Sequence, residues 1–504
     1  MENILKICFQ KFPFTLDPQK SGDRTSSAII FLLFKGLTRL EPDRRISLDL
    51  ASSVHVLNNH TKYVFHLGNH YWSDGSQITA YDFERSWKRA LSPGFSARAI
   101  NFFYYLKNGE KAKQGKVSLD KVGVKAVSDF TLEVDLEFPC PYFLELTAFC
   151  PFFPVSQSSE NNPNSPICSG GFFIQEQDLI KGYIRLKKNP VFRANSQISL
   201  DGILIKIISD EKEAFHQFEA GELDWMGSFL SPLPTNYLPS LMLSKKIKPV
   251  AGMTLCWFNT GEFPFSNLNV RKAFFHAIPR ERLLGKLLLP DTLGTQRFCP
   301  PSSDEQHNPY SENYSEKKIK GFLKKAEKEL GKTLDSITLT YESTAEFSRL
   351  AKFLKGYWEK MFKISVNLEP LTFREFWHRM PLQKFQISLG STLTQYTDKI
   401  AFLEFFEHKN TCNNFSGWEN LNYRTLLNKY RNAKDPSKRK KIGEKAEKVL
   451  EKSLPIAPIY IYHYTYLQKQ YVKNLAISPI GLVHFDRIVL EKYQELPVHR
   501  FAVN

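Results

Sequence analysis

The sequence predicts an α/β protein of more than one domain, and three observations carry that prediction. Length is the first: 504 residues are more than one hydrophobic core organises, so two or three domains are expected. The second is a strand, a turn and a capped helix that follow one another along residues 63–93. The third is a pair of long amphipathic helical stripes far downstream, interleaved with strand-like runs. Composition agrees, since 42% hydrophobic and 24% charged residues describe an ordinary globular chain. No run approaches the roughly 20 apolar residues that a membrane-spanning helix needs.

Taken in order, Ile4, Leu5, Ile7 and Phe9 open the chain as a strand. Val64, Phe65 and Leu67 form a second, Ser73-Asp74-Gly75 supplies turn chemistry, and Thr79 with Asp82 makes a capping box that starts a helix ended by Pro93. Ile319, Phe322, Leu323, Ala326 and Leu330 recur at helical spacing with lysines between them, a buried stripe with a wet opposite face. Asp435-Pro436 starts a further helix that turns Ile442, Ala446, Val449 and Leu450 inward.

The wording of the first motif is more specific than its shape. Trp72-Ser73-Asp74-Gly75, Thr79-Ala80, Asp82-Phe83, Ser86-Trp87 and Ala90-Leu91-Ser92-Pro93 resemble the extracellular solute-binding proteins of family 5, which deliver oligopeptides to ABC importers. Matches in the same order are Thr15-Leu16-Asp17-Pro18, Phe34-Lys35-Gly36-Leu37, Gly221-Glu222-Leu223-Asp224, Phe258-Asn259-Thr260 with Asn269-Val270-Arg271-Lys272-Ala273, and Ala457-Pro458-Ile459-Tyr460. The resemblance implies a two-lobed periplasmic-binding-protein fold of type II, with mixed sheets in each lobe and an inserted third subdomain. It also implies a receptor with no catalytic activity and no cofactor, monomeric, in the periplasm or on the cell surface. Such a receptor closes on an oligopeptide or peptide-like ligand and hands it to ABC permease and ATPase subunits. No signal pattern precedes the first strand, so the export signal is expected to be missing from this chain. Lys6 argues against a lipid-attachment signal at Cys8, which reads as a strand cysteine.

Other classes find little support. The seven cysteines, Cys8, Cys140, Cys150, Cys168, Cys256, Cys299 and Cys412, are odd in number and contain no C-x-x-C pair; Cys140 and Cys150 alone are close enough to invite a short bridge. His66 and His70, and His55 and His60, fall across turns where helical ligand spacing fails, so no metal is expected. No H-E-x-x-H, G-x-S-x-G or P-loop pattern appears. The net charge of +16 raises nucleic-acid binding, yet the lysines sit mostly on the wet faces of amphipathic helices, and no nucleic acid is expected.

The resemblance breaks into blocks that imply a first lobe built from residues 1–40, 165–260 and 475–504, an inserted subdomain at 41–164, and a second lobe at 261–474. Two crossovers would then form a hinge, with the ligand between the lobes. Capturing peptides of many sequences calls for main-chain pairing along exposed edges and roomy, hydrated side-chain pockets. In relatives one edge is the strand before Leu-Asp-Pro, here Phe12-Pro13-Phe14, with Pro13 unable to donate. The other edge is a glycine-tryptophan run carrying an aspartate for the peptide α-ammonium. That run is Ser391-Thr392-Leu393-Thr394-Gln395-Tyr396-Thr397-Asp398 here, with Thr392 at the tryptophan position and Gln395 at the aspartate position. A glutamine hydrogen-bonds but cannot neutralise an ammonium, so recognition of a free amino terminus should be weakened. Ligands are therefore expected to be peptides or peptide-like molecules whose termini are modified, differently placed or read by other groups; Asp398 or Glu404 could substitute if the register slips. Leu389 and Phe347 stand where relatives read the peptide carboxylate. Aromatic candidates for the cleft are Tyr104, Tyr105, Trp257, Tyr396, Trp418, Tyr460 and Tyr462, with Asn414 as a polar one; for each, core packing is an equally good reading of the residue alone. A non-peptide or modified small ligand, such as glutathione, a metal chelate, haem or a sugar, is the alternative on the same fold.

Overall fold

A mixed ten-stranded sheet runs through the molecule as its spine. The structure is a computed structural model that describes residues 2–161, 165–234, 246–287, 294–300, 314–394, 398–409, 413–433 and 435–491. In chain order the strands are β1 (Ile4–Phe9), β2 (Phe172–Asp178), β3 (Tyr183–Lys188), β4 (Gly202–Ile207), β5 (Trp225–Gly227), β6 (Lys246–Phe258), β7 (Ser336–Glu342), β8 (Ser365–Leu371), β9 (Ile387–Leu393) and β10 (Ile456–Gln468). Their spatial order is β8-β7-β9-β6-β10-β5-β1-β4-β3-β2. β1 pairs in parallel with β4 and β5, and β7 with β8 and β9, while β6 and β10 run antiparallel to each other.

Two hydrophobic cores flank this spine and define a first and a second lobe. One gathers Leu5, Ile7, Ile29, Leu33, Trp87, Phe152, Ile203, Trp225 and Phe485; the other gathers Leu255, Phe274, Leu339, Leu354, Trp358, Ile387 and Leu450. Ile319, Leu323, Ala326, Ala446 and Leu450, from the two amphipathic stripes, enter the second core on helices Glu316–Leu330 and Pro436–Ser453. Asp435 caps the latter by accepting from the Ser437 and Lys438 amides. Burying such apolar stripes, at about 25 cal/mol per Å², is what holds each lobe together.

The segment 51–135 carries a separate four-stranded antiparallel sheet, ordered Ala51–Leu57, Lys62–Leu67, Thr131–Asp135, Val124–Ser128. Helix Ala80–Leu91 lies across it, opened as expected by Thr79, whose amide donates to Asp82 Oδ2 at 2.9 Å. Phe83 and Trp87 from this helix are fully buried, and the Trp87 indole donates to Phe152 O at 2.9 Å. Glu84 Oε2 accepts from the Ala126 amide at 2.8 Å, so helix and sheet are joined by polar as well as apolar contacts.

Several family-like motifs turn out to be joints. Asp17 caps a 3₁₀ turn and pairs with Arg89 at 2.7 Å. Asp224 accepts from the Lys6 amide at 2.6 Å and from the Tyr471 hydroxyl at 2.6 Å, tying β1 to the C-terminal segment. Buried Arg271 donates to the Ser453, Phe265 and Ser266 carbonyls. Lys35 and Arg39 converge on Asp486 at 3.1 and 2.9 Å, and Arg39 also donates to His484 Nδ1 at 2.8 Å. Cys140 and Cys150 are both buried and free, so the short bridge does not form; Cys150 Sγ lies 3.7 Å from Ser21 Oγ. Cys8 is wholly buried in β1, 2.9 Å from Ser231 Oγ. Cys412 lies outside the described residues.

Candidate binding site

β6 and β10, each 13 residues long, run from one core to the other. Lys246–Pro249 pair with Tyr466–His463 beside the first core, and Met253–Trp257 pair with Ile461–Ile456 beside the second. Between these blocks the register shifts, and residues 250–252 drop out of the β6–β10 ladder. Ala251 instead donates its amide to Pro479 O at 2.7 Å and accepts from the Thr394 amide at 2.8 Å and hydroxyl at 3.0 Å. Gly252 meets β9 so closely that a Cβ would come within 2.7 Å of Thr392 O and of Leu393 Cγ. Interruptions of this kind concentrate bending at one place in a sheet.

Away from this pivot the lobes face each other and touch along two walls. On one wall Tyr105 donates its hydroxyl to Glu404 Oε2 at 2.5 Å. The guanidinium of Arg431 stands 5.1 Å from the Phe138 ring centre, and that of Arg439 5.4 Å from Tyr142. Ile400, Ala401 and Tyr430 join the first-lobe core across the same contact. On the other wall Lys11 Nζ lies 3.8 Å over the Phe373 ring and beside Glu342. Such cation–ring contacts contribute about 0.5–1 kcal/mol when exposed and more when dry.

The floor between the walls is a file of tyrosines on β10. Tyr460 donates to Glu346 Oε1 at 2.5 Å, Tyr462 stacks on Phe229 at 4.7 Å, and Tyr464 meets Phe229 edge-on at 5.3 Å. Arg24 covers the Phe229 ring at 4.8 Å and donates to Ile480 O at 3.0 Å. Burial pushes the Glu346 carboxyl above the usual range, and the Tyr460 bond and nearby Arg349 offset this only in part. Glu342 is raised for the same first reason, with Lys11 acting against it.

The expected site residues divide accordingly. Tyr105 lies on the wall at Glu404, Tyr460 and Tyr462 lie apart from it on β10 near Glu346, and Tyr104 is half-buried against the first core. Ser391 and Thr392 stand half-buried on β9, with Ser391 Oγ 2.6 Å from Thr254 Oγ1. Trp257 and Trp418 pack into the second core, against Phe415 and Tyr423. Asn414 is buried and donates to His408 O and Trp418 O, bracing its own loop. Phe12, Pro13 and Phe14 are not in a strand, because β1 ends at Phe9; Phe12 packs on the first core, while Phe14 is 70% exposed with Arg98 4.3 Å from its ring centre. Gln395 and Tyr396 lie outside the described residues. Asp398 and Glu404 are already engaged, the former by Tyr430, Arg439 and the Ile400 amide, the latter by Tyr105 with Arg431 at 3.9 Å. Glu346 carried no signal of its own in the sequence, where an acid in the first turn of a helix reads as a favourable partner of the helix dipole.

Residues 45–414 match the family model for bacterial extracellular solute-binding proteins, family 5 middle region. The chain belongs to that family. It is 32% identical to the oligopeptide-binding protein OppA of Bacillus subtilis over 501 residues, covering 96% of this chain and 92% of that protein. Among solved structures, the family member from Borrelia burgdorferi described as a periplasmic oligopeptide-binding protein of an oligopeptide ABC transporter superposes with a TM-score of 0.87 at 26% identity, covering 97% of this chain and all of that one. The murein tripeptide binding protein MppA of Escherichia coli gives 0.88 at 24% identity over 98% and 99% of the chains, against 0.75 for its unliganded open form. The type II periplasmic-binding-protein fold is thereby shown, and the lobes here fit that open form less well. Among the described residues no helix is long and apolar enough to cross a membrane.

Proposed function

We propose that this chain is the receptor of an ABC importer, capturing a peptide or peptide-like ligand between its lobes outside the cytoplasmic membrane and presenting it to a permease. The observation that carries the reading is the pair of strands β6 and β10, which cross from one core to the other beside a three-residue interruption while the facing walls, among the described residues, touch through side chains. A joint of that kind permits closure around a ligand while the strand pairing on either side is kept, and ligand contacts to both walls then shift the population toward the closed form. The names of OppA and of the Borrelia receptor supply the ligand class and the transporter.

The lobe limits we favour follow the same joint: residues 1–40, 165–250 and from about 462 onward in the first lobe, 41–164 inserted, and the remainder in the second. The crossings then fall inside the long strands rather than at 260 and 474. A monomer without catalytic activity is sufficient for this role. The test is mass spectrometry of ligand released from purified protein, followed by incubation with the same compound. Recovery of an intact peptide is the expected result; recovery of only non-peptide molecules, or cleavage of the peptide, would overturn the reading.

A further inference from the structure

The carboxylates next to the Gln395 segment, Asp398 and Glu404, are engaged by protein groups, so neither is available to a ligand cation. Glu346 differs. Tyr460 occupies Oε1, while Oε2 accepts no hydrogen bond from the described residues; Arg349, one turn on, acts on the carboxyl from beyond ion-pair distance. Glu346 projects from the first turn of helix Ala345–Phe362 toward the β10 tyrosines, close enough to act on the Tyr462 hydroxyl, as are Glu342 and Arg24. Tyr464, in the same file, is wholly buried with a hydroxyl that finds no hydrogen-bond partner among the described residues. Glu346 is half-buried, so its second oxygen is left open to a charged partner, and a charge-assisted pair there is stronger than a neutral one. Phe229 is already stacked on Tyr462 and covered by Arg24, which leaves the rings of Tyr460 and Tyr462 to attract a cation.

We propose that Glu346 is a cation-binding position of the cleft, receiving an ammonium or guanidinium group of the ligand at Oε2 against the tyrosines of β10. The inference rests on the peptide reading above and deepens it: a positive group is read from the second-lobe wall and the hinge strand rather than from the Gln395 position. The group has two possible sources, the α-ammonium or a basic side chain. Arg24, beyond Tyr462, leaves the far end of the floor suited to an acceptor and gives the ligand a direction.

The test is selection from an equimolar library of tri- to pentapeptides and from its N-acetylated counterpart, with the retained fraction identified by mass spectrometry and the most enriched peptide titrated by calorimetry. Wild-type protein should enrich peptides with a free amino terminus, or lysine- and arginine-containing ones if acetylation is tolerated. The difference between the two libraries assigns the source. Glu346→Gln should weaken the enriched peptide at least tenfold, and Glu346→Asp should recover part of the loss. A wild-type selection without preference for positive groups, or equal affinity in Glu346→Gln, would overturn the inference and leave the peptide reading intact. Because the selection needs no variant, poor folding of Glu346→Gln cannot mask the result. Retention of no peptide from either library would overturn both.

Discussion

Replacing Tyr105 by Phe removes one atom from the wall between the lobes and should weaken ligand binding without harming either core. The hydroxyl sits 2.5 Å from Glu404 Oε2, and Tyr142 donates to it in turn at 3.2 Å. A hydrogen bond to a charged acceptor contributes about 1.5–3 kcal/mol net. At about 1.4 kcal/mol per decade, its loss in the closed form corresponds to a Kd increase of roughly 10- to 100-fold. Separation of the walls would give Glu404 water in place of the hydroxyl, so the cost falls almost wholly on closure. Calorimetry with a peptide identified from purified protein measures the first quantity, and small-angle scattering with and without that peptide measures the second. The expected variant binds more weakly, melts within a degree or two of wild type when ligand-free, and compacts less at a given peptide concentration. An unchanged Kd together with unchanged compaction would show that this contact does not couple closure to binding.

Three further outcomes are expected. Gln395→Asp should strengthen binding of peptides with free amino termini and leave acetylated ones unaffected, and calorimetry with each pair reads the difference. Gly252→Ala should destabilise the protein by about 1–3 kcal/mol, because the added carbon meets a backbone carbonyl that cannot yield; the melting temperature should fall by a few degrees. His484 is held down to about 3 by burial and then by Arg39, so between that value and about 6.5 the unfolded chain binds a proton that the native state refuses. Its contribution to stability is therefore complete above about pH 6.5 and declines as pH falls. Asp486 adds loss in the same direction: burial alone would raise its carboxyl, but Lys35 and Arg39 outweigh burial and hold it far below the usual range. Thermal melts from pH 7 to 4 should decline less steeply in His484→Asn than in wild type.

What was legible in the sequence was local. Thr79 with Asp82, Asp435 before Pro436, and the stripe from Ile319 to Leu330 each state a helix within a few residues, and each helix forms where it was read. The ordered motifs announced the family because many of them are joints: Asp224 holding Lys6, or Arg271 capping a distant helix end, admit few replacements. Pairs formed across the fold left no such trace. Tyr105 reads from the sequence as an aromatic candidate for the cleft, but its partner Glu404 is 299 positions away and belongs to another lobe. Tyr460 was marked for its place on an alternating strand, yet nothing in that alternation points to Glu346. Phe14 does not lie on the edge strand expected there. Its neighbour Pro13 lacks an amide donor, and the strand that relatives would continue stops at Phe9, leaving the ring exposed beneath Arg98.

The placement of the pivot explains why so few wall contacts can matter. Residues 250–252 contribute nothing to the β6–β10 ladder, so rotation there leaves the paired blocks on either side intact. The bonds most exposed to such a rotation are those of Ala251 to Pro479 and Thr394, each local to the joint. Closure then meets little intrinsic resistance from the strands, and its equilibrium is set by side chains at the rims: Tyr105 with Glu404, Arg431 with Phe138, Arg439 with Tyr142, Lys11 with Phe373, and Ile400, Ala401 and Tyr430 against the first core. Each exchanges protein contact for water on opening, so their net sum is a few kcal/mol, close to the range in which a ligand touching both walls decides the population. A larger rim would lock the cleft shut without ligand, and a smaller one would demand more of the ligand's own contacts. A rim of few contacts, polar and apolar together, is what a receptor needs if it must reopen after delivery.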